Sequence, residues 1–138
     1  MQIHDAGLLI IGAIVGAMIF FTAVVAPAAF RVLAAEQAGL LVRRLFPIYY
    51  LVMALAAALA AMLIGFDSPA AGRVLAVVAV LFMAKRALLL PRMERYRSRR
   101  QAGDADATRA FRRLHGLSMV LNLIAGVAVV AAFILATS

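Results

Sequence analysis

Four long apolar runs constrain this chain more than any other feature of its sequence. They lie at about residues 6–26, 45–66, 72–91 and 115–136. Each run is long enough to cross a bilayer, because a transmembrane helix needs about 20 mostly apolar residues. Composition agrees, since 67% of the 138 residues are hydrophobic, against roughly 45–50% in a typical soluble domain. The sequence therefore predicts an all-α membrane protein, a single domain over residues 1–138 with four transmembrane helices in a bundle.

The net charge of +8 is concentrated beside two of these spans. Eight of the fourteen Lys and Arg residues lie between Arg92 and Arg113. Basic residues beside membrane spans are typical of cytoplasmic loops that contact anionic lipid. No nucleic-acid recognition motif accompanies the charge, so we expect no nucleic-acid partner. Contacts with lipid phosphates are predicted at Arg43, Arg44, Arg92, Arg112 and Arg113.

The distribution of charge also predicts orientation. Loops 27–44 and 92–114 are basic, whereas the loop between spans two and three carries only Arg73. By the positive-inside rule, both basic loops are cytoplasmic and both termini lie outside an inner (plasma) membrane. Residues 1–5 lack the basic side chains that begin a signal peptide. We therefore expect span one to be retained as a helix that Pro27 bends or ends.

The third loop is predicted to be helical rather than irregular. The helix of span three is expected to continue past Pro91 until Gly103 breaks it. Asp104 or Asp106 then offers an N-cap for a helix that runs into span four. The prediction is a basic helical extension of two arms joined by a short turn.

Small residues indicate where the spans pack. Gly12 and Gly16 stand in GxxxG register in span one, and Ala57, Ala61 and Gly65 repeat every four residues in span two. Close packing drives helix association in lipid, so these faces predict a close approach of spans one and two. The alternative is that alanine merely fills a thin helix.

A polar stripe runs along span four. His115, Ser118, Asn122 and Gly126 recur at intervals of three, four and four, which keeps them within about 100 degrees on a helix. Buried polar groups in hydrocarbon are costly unless satisfied, so the stripe should face the bundle or a cavity. It can serve as interhelical hydrogen bonds or as a ligand site. No cofactor is predicted, and His115 is the only candidate ligand for a haem or metal.

Spans two and three add further candidates near the same membrane face. Tyr49 and Tyr50 lie near the inner end of span two, with Pro47 close to its start. Lys85 and Arg86 lie one to two turns before the end of span three, and both are expected to snorkel toward the headgroups. The predicted ligand-binding candidates are His115, Ser118, Asn122, Tyr49, Tyr50, Pro47 and Lys85.

Hydrolytic catalysis is not expected. The chain has no cysteine, and none of its six acidic residues lies deep in a span. No combination of nucleophile, base and orienting group is visible, so no catalytic residue is assigned.

Several segments resemble the transmembrane-protein-205-like family. They are "LFPIYY" at 45–50, "LLLPRMERYR" at 88–97 and "RRLHGLSMVLNL" at 112–123, together with "FFTAVVAPAAFRVL" at 20–33. The matching positions are Phe46, Pro47, Tyr49, Pro91, Arg92, His115, Gly116, Ser118 and Asn122. In one departure, the family commonly has asparagine where this chain has Lys85, which puts a shared polar role at that position in doubt.

The resemblance implies a four-helix membrane domain of unsettled activity. The family's eukaryotic member is linked with resistance to platinum drugs, which favours a small transport or resistance-type component with a polar site near the cytoplasmic half of helices two and four. Four helices are few for a translocation pathway, so this hypothesis implies a homo-oligomer or a partner protein. The alternatives are a haem- or metal-associated redox helper that uses His115, and a purely structural membrane protein.

Overall fold

The computed structural model describes residues 3–138, and this part of the chain is almost entirely helical. It contains four helical segments that are long and apolar enough to cross a membrane. Their bounds are Ile3–Val32, Ala35–Gly65, Pro69–Gln101 and Ala105–Thr137. The predicted all-α bundle of four spans is confirmed.

Two of these segments are interrupted by short π-helices. The first consists of α1 (Ile3–Phe20), the first π segment (Phe21–Val25) and α2 (Ala26–Val32). The second segment is α3 (Ala35–Gly65). The third consists of α4 (Pro69–Ala84), the second π segment (Lys85–Leu89) and α5 (Leu90–Gln101), and the fourth is α6 (Ala105–Thr137).

Each π segment begins six residues before a proline, Pro27 or Pro91. Proline has no backbone N–H to donate to the preceding turn and its ring crowds that turn, so it disturbs the ordinary helical pattern. A π segment widens the turn and shifts the hydrogen-bond register locally. Helical structure therefore continues past both prolines. Pro27 does not end its helix, which runs on to Val32.

The bundle has two chemically different ends. The end formed by α2, the start of α3, α5 and the start of α6 holds most of the arginines, and we call it the basic end. There, Arg43 of α3 binds Glu94 of α5 at 2.5 Å. At the opposite end, His4 Nδ1 lies 3.4 Å from Asp67, and Ser68 Oγ donates to the backbone oxygen of Leu135 at 3.1 Å. These contacts connect the turn between α3 and α4 to the start of α1 and to the end of α6.

A close backbone contact joins α3 to α4 beside the turn that connects them. A Cβ built on Gly72 would lie 2.6 Å from the Cα of Gly65. Spans one and two pack together as predicted, with Gly7 of α1 against Ile64 of α3. The predicted GxxxG contact is wrong, because a Cβ on Gly12 or Gly16 would meet nothing within 4 Å. The face of α1 that packs inward instead carries Gly7 and buried side chains such as Ile11. The inward face of α1 is therefore packed mainly by side chains larger than glycine or alanine.

The basic arms have the predicted shape. Asp104 caps α6 by accepting from the backbone N–H groups of Asp106 at 2.9 Å and Ala107 at 3.0 Å. The Ala107 hydrogen bond, with help from Arg99, holds the pKa of Asp104 below its usual range. Gly103 has a φ of 88°, a conformation that suits glycine in the turn. The predicted helical extension is confirmed, and of the two predicted cap residues, Asp104 and Asp106, the structure uses Asp104.

The first basic loop is more ordered than expected. Residues 27–44 are helical apart from a break near residue 34. Because α3 begins at Ala35, Pro47 lies inside this helix rather than close to its start. The apolar and basic residues between 35 and 46 extend α3 beyond the predicted span, toward the basic end. Hydropathy did not predict this extension, because it identifies only the part of a helix that crosses lipid.

We predict that Gly72→Ala destabilises the bundle by about 1–3 kcal/mol, because the new methyl group meets backbone that cannot move aside. Thermal unfolding of purified protein in detergent measures the effect. Gly12→Ala is the matched control, since the space around that position is open. Equal melting temperatures for the two variants would contradict the close contact of α3 and α4.

Candidate functional site

A groove with a volume of about 1660 Å³ lies in the half of the bundle nearer the basic end. It is bordered by α1, the first π segment and α2 on one side and by α6 on the other, with α3 and α5 between them. Ligand pockets for drug-sized molecules usually measure about 300–1,000 Å³. The groove is therefore large enough for a molecule with a long apolar chain.

The wall of the groove on α6 is mostly apolar and open at its side. Met119, Leu123 and Val127 line it and are also exposed on the bundle surface. Along α6 the lining extends from Phe111 to Val130, a rise of about 28 Å at 1.5 Å per residue. The α6 wall of the groove is therefore continuous with the apolar outer surface of the bundle.

Two side-chain hydrogen bonds cross the bundle beside the groove. Tyr50 Oη and Ser118 Oγ are 2.9 Å apart and join α3 to α6. Lys85 Nζ donates to Asn122 Oδ1 at 3.1 Å and joins the second π segment to α6. Together with Tyr49, these four residues form what we call the polar cluster.

Lys85 is the most unusual member of the polar cluster, because its side chain is only 1% exposed. Its ammonium group lies 4.4 Å from the centre of the Tyr50 ring and 5.4 Å from that of Phe82. Among residues 3–138, no carboxylate forms an ion pair with it. The expectation that Lys85 snorkels is wrong, because its side chain is buried in the bundle. The neutral Asn122 oxygen and two aromatic rings stabilise the ammonium there. Arg86, one position further, is exposed.

The Tyr49 hydroxyl is buried and has no hydrogen-bond partner in the described part of the chain. The Asn122 side chain lies within hydrogen-bonding range of the Tyr49 hydroxyl, but the two groups are not aligned as a well-formed hydrogen bond. The Tyr49 ring stacks on Phe21 of the first π segment, with 4.7 Å between ring centres. The first π segment thus contacts Tyr49, whereas Lys85 of the second π segment contacts the neighbouring Tyr50 ring.

Six of the seven predicted ligand-binding residues line the groove. They are Pro47, Tyr49, Tyr50, His115, Ser118 and Asn122. Lys85 lies behind this lining and touches the site through Asn122 and Tyr50. The sequence did not identify Phe21 or the π segments. In the sequence, each π segment is marked by a proline six residues after its first residue. The periodicity of apolar residues in the spans does not reveal the π segments.

His115 stands at the mouth of the groove, apart from the hydrogen bonds of the polar cluster. It is exposed and lies parallel to the Phe111 ring, with 6.4 Å between centres. Within residues 3–138, no three His, Cys, Asp or Glu side chains are grouped as a metal site would require. A haem or metal at His115 stays a prediction that would need ligands from elsewhere.

The predicted lipid-facing arginines all lie at the basic end. Arg44, Arg92, Arg112 and Arg113 are exposed. Arg43 is held by Glu94 and lines the groove. Its position makes it part of the groove mouth as well as of the bundle surface.

A family model described as "Domain of unknown function (DUF4149)" matches residues 9–102. The match covers more than half of the chain, and the chain belongs to this family. The matched range includes Tyr49, Tyr50 and Lys85 but ends before α6, which carries Ser118 and Asn122. No curated protein and no solved structure matches the chain. The resemblance to the transmembrane-protein-205-like family stays a prediction.

We predict that Asn122→Leu lowers stability by about 1.5–3 kcal/mol, because it leaves the buried Lys85 ammonium without its acceptor. Adding Lys85→Met should recover most of that loss, since an apolar pair of similar volume needs no hydrogen bond. A double-mutant cycle on thermal unfolding in detergent measures the coupling. Strictly additive effects of the two substitutions would show that Lys85 and Asn122 do not depend on each other.

Proposed function

We propose that this member of the DUF4149 family is a small transport or resistance-type membrane component that binds an amphiphilic molecule in its groove. The observation that supports the proposal is the placement of the polar cluster beside a long apolar groove with an open side. An amphiphile has a polar head and an apolar chain, and the groove offers separate surfaces to both.

The open side of the groove supports entry from the bilayer. Its exposed residues on α6 and on α1, such as Leu123 and Ile19, would face acyl chains in a membrane. A ligand that is already dissolved in the bilayer needs no aqueous path to reach them. This favours membrane-soluble compounds over small ions as ligands.

Helix packing explains only part of the polar cluster. The bonds Tyr50–Ser118 and Lys85–Asn122 connect α3, the second π segment and α6, as expected for interhelical polar contacts. The Tyr49 hydroxyl contributes no such bond. A buried charge in a membrane span is also costly and is a functional-site hypothesis by default. A binding role accounts for the groups that packing leaves unused.

Orientation and assembly complete the proposal. The arginine-rich basic end would face the cytoplasm of an inner membrane and contact anionic lipid phosphates, with both termini outside. Four spans are few for a translocation pathway. We therefore propose a homo-oligomer in which the groove of each subunit takes part in moving or sequestering the ligand.

The proposed orientation predicts opposite labelling of two introduced cysteines. The natural chain has none, and Ser98 at the basic end and Ser138 at the opposite end are both exposed. A maleimide that cannot cross membranes should label Ser138→Cys in intact cells. It should label Ser98→Cys only after the membrane is permeabilised, and the reverse pattern would contradict the proposed orientation.

Binding in the groove predicts different effects of tryptophan at two neighbouring positions. Leu123 and Ile124 are both exposed, but only Leu123 lines the groove. A photoreactive long-chain alcohol should crosslink to residues of α1, the first π segment and α6 in protein held in nanodiscs. Leu123→Trp should weaken that labelling about tenfold, equivalent to a loss of about 1.4 kcal/mol in binding.

Ile124→Trp is the matched control and should label like the natural protein. Proteoliposomes that contain the same probe then test movement between leaflets, which Leu123→Trp should slow and Ile124→Trp should not. Unchanged crosslinking in both variants would show that the groove is not the binding site.

A further inference from the structure

The polar cluster presents hydrogen-bond donors to the groove. A lysine ammonium can only donate, so the Asn122 atom that faces Lys85 must be the carbonyl oxygen. This fixes the orientation of the Asn122 amide and leaves both of its N–H donors for other partners. The well-formed side-chain hydrogen bond of Asn122 is the one that its oxygen accepts from Lys85; the side chain also neighbours the Tyr49 hydroxyl and lines the groove.

A second donor lies beside the first. The Tyr49 hydroxyl is buried near Asn122 and has no partner among the described residues. A buried hydroxyl that lacks a hydrogen bond is destabilising, because it has lost its bonds to water without replacement. An acceptor placed next to the Asn122 amide could satisfy both groups. The Tyr49 hydroxyl can also accept, but only an acceptor can take hydrogen bonds from both the Tyr49 O–H and the Asn122 N–H groups.

The charge behind these donors is positive. The Lys85 ammonium is shared with one neutral oxygen and two rings, and no described carboxylate offsets it. A charge in a low-dielectric interior acts strongly on its surroundings. At the mouth, the charged lining residues are Arg43, Arg97 and Arg100 against Glu36 and Glu94. Both the polar cluster and the mouth of the groove therefore favour a negatively charged ligand.

We propose, on the basis of the function proposed for the groove, that its ligand is a single-chain amphiphile with a carboxylate head. The head binds beside Asn122 and Tyr49, with Lys85 supplying the compensating charge through the Asn122 amide. The chain lies along the apolar wall of α6 that includes Leu123 and Val127. The two oxygens of a carboxylate match the two kinds of donor, whereas a phosphate has more acceptor positions than these groups can satisfy.

The test compares three photoreactive probes that share one long chain and differ in the head: carboxylate, alcohol and trimethylammonium. In nanodiscs of neutral lipid, the natural protein should bind the carboxylate at least about tenfold more tightly than the trimethylammonium probe. Crosslinks should fall on α1, the first π segment and α6. This comparison uses the natural chain, so it does not depend on the folding of any variant.

Substitutions then locate the source of the preference. Lys85→Met should remove the preference for the carboxylate probe over the trimethylammonium probe. Asn122→Asp should reverse this preference, because the new carboxylate binds Lys85 and repels an anionic head. Arg86→Met is the matched control, since it removes an exposed charge one position away that does not line the large groove. It should leave the preference unchanged.

The outcomes separate this inference from the function on which it rests. Equal binding of the three heads would overturn the carboxylate assignment and leave groove binding intact. A long-chain phosphate that binds more tightly than the carboxylate and depends on Arg97 or Arg100 instead of Lys85 would also overturn it. If no probe crosslinks in the groove, both the inference and the proposed function fail.

Discussion

In lipid, a backbone N–H or C=O finds no water, and every part of this fold reflects that constraint. It requires helices wherever the chain crosses hydrocarbon. It also explains why Pro27 and Pro91 are each preceded by a π segment that shifts the hydrogen-bond register without ending the helix. The second π segment carries Lys85 into the bundle. The second π segment, which preserves backbone hydrogen bonding before Pro91, thus also determines where the buried charge of Lys85 lies.

That buried charge then makes demands on its neighbours. Lys85 needs an acceptor and a polarisable surface, and it finds them in Asn122 and in the rings of Tyr50 and Phe82. Tyr50 in turn pairs with Ser118, so α3, the second π segment and α6 are held together by connected polar contacts. Removing one member leaves another without a partner, which is costly in a dry interior. The same contacts orient the Asn122 amide toward the groove.

The parts of the fold that depend on local sequence could be predicted, and those that depend on neighbouring helices could not. Hydropathy identified the spans, and turn chemistry identified the Asp104 cap. Periodicity placed Ser118 and Asn122 on one face of α6. It could not show that Lys85 meets Asn122, because that contact depends on which helices are adjacent. Gly12 failed as a packing signal for the same reason, since a small residue permits close approach without providing a partner.

The groove exists because two similar segments end differently at the basic end. Beyond Pro91, α5 packs against α6, where Phe111 lies under Arg97 and Arg100. Beyond Pro27, α2 packs mainly against α3 and leaves α6 uncovered on that side. Between residues 15 and 32, the structure shows no side-chain hydrogen bond to another helix; the bond from Thr22 goes to Met18 in its own helix. The α1–α2 wall is held mainly by apolar contacts, and the α6 wall is held by the polar cluster. A ligand that enters from the bilayer would therefore displace the α1–α2 wall more easily than the α6 wall.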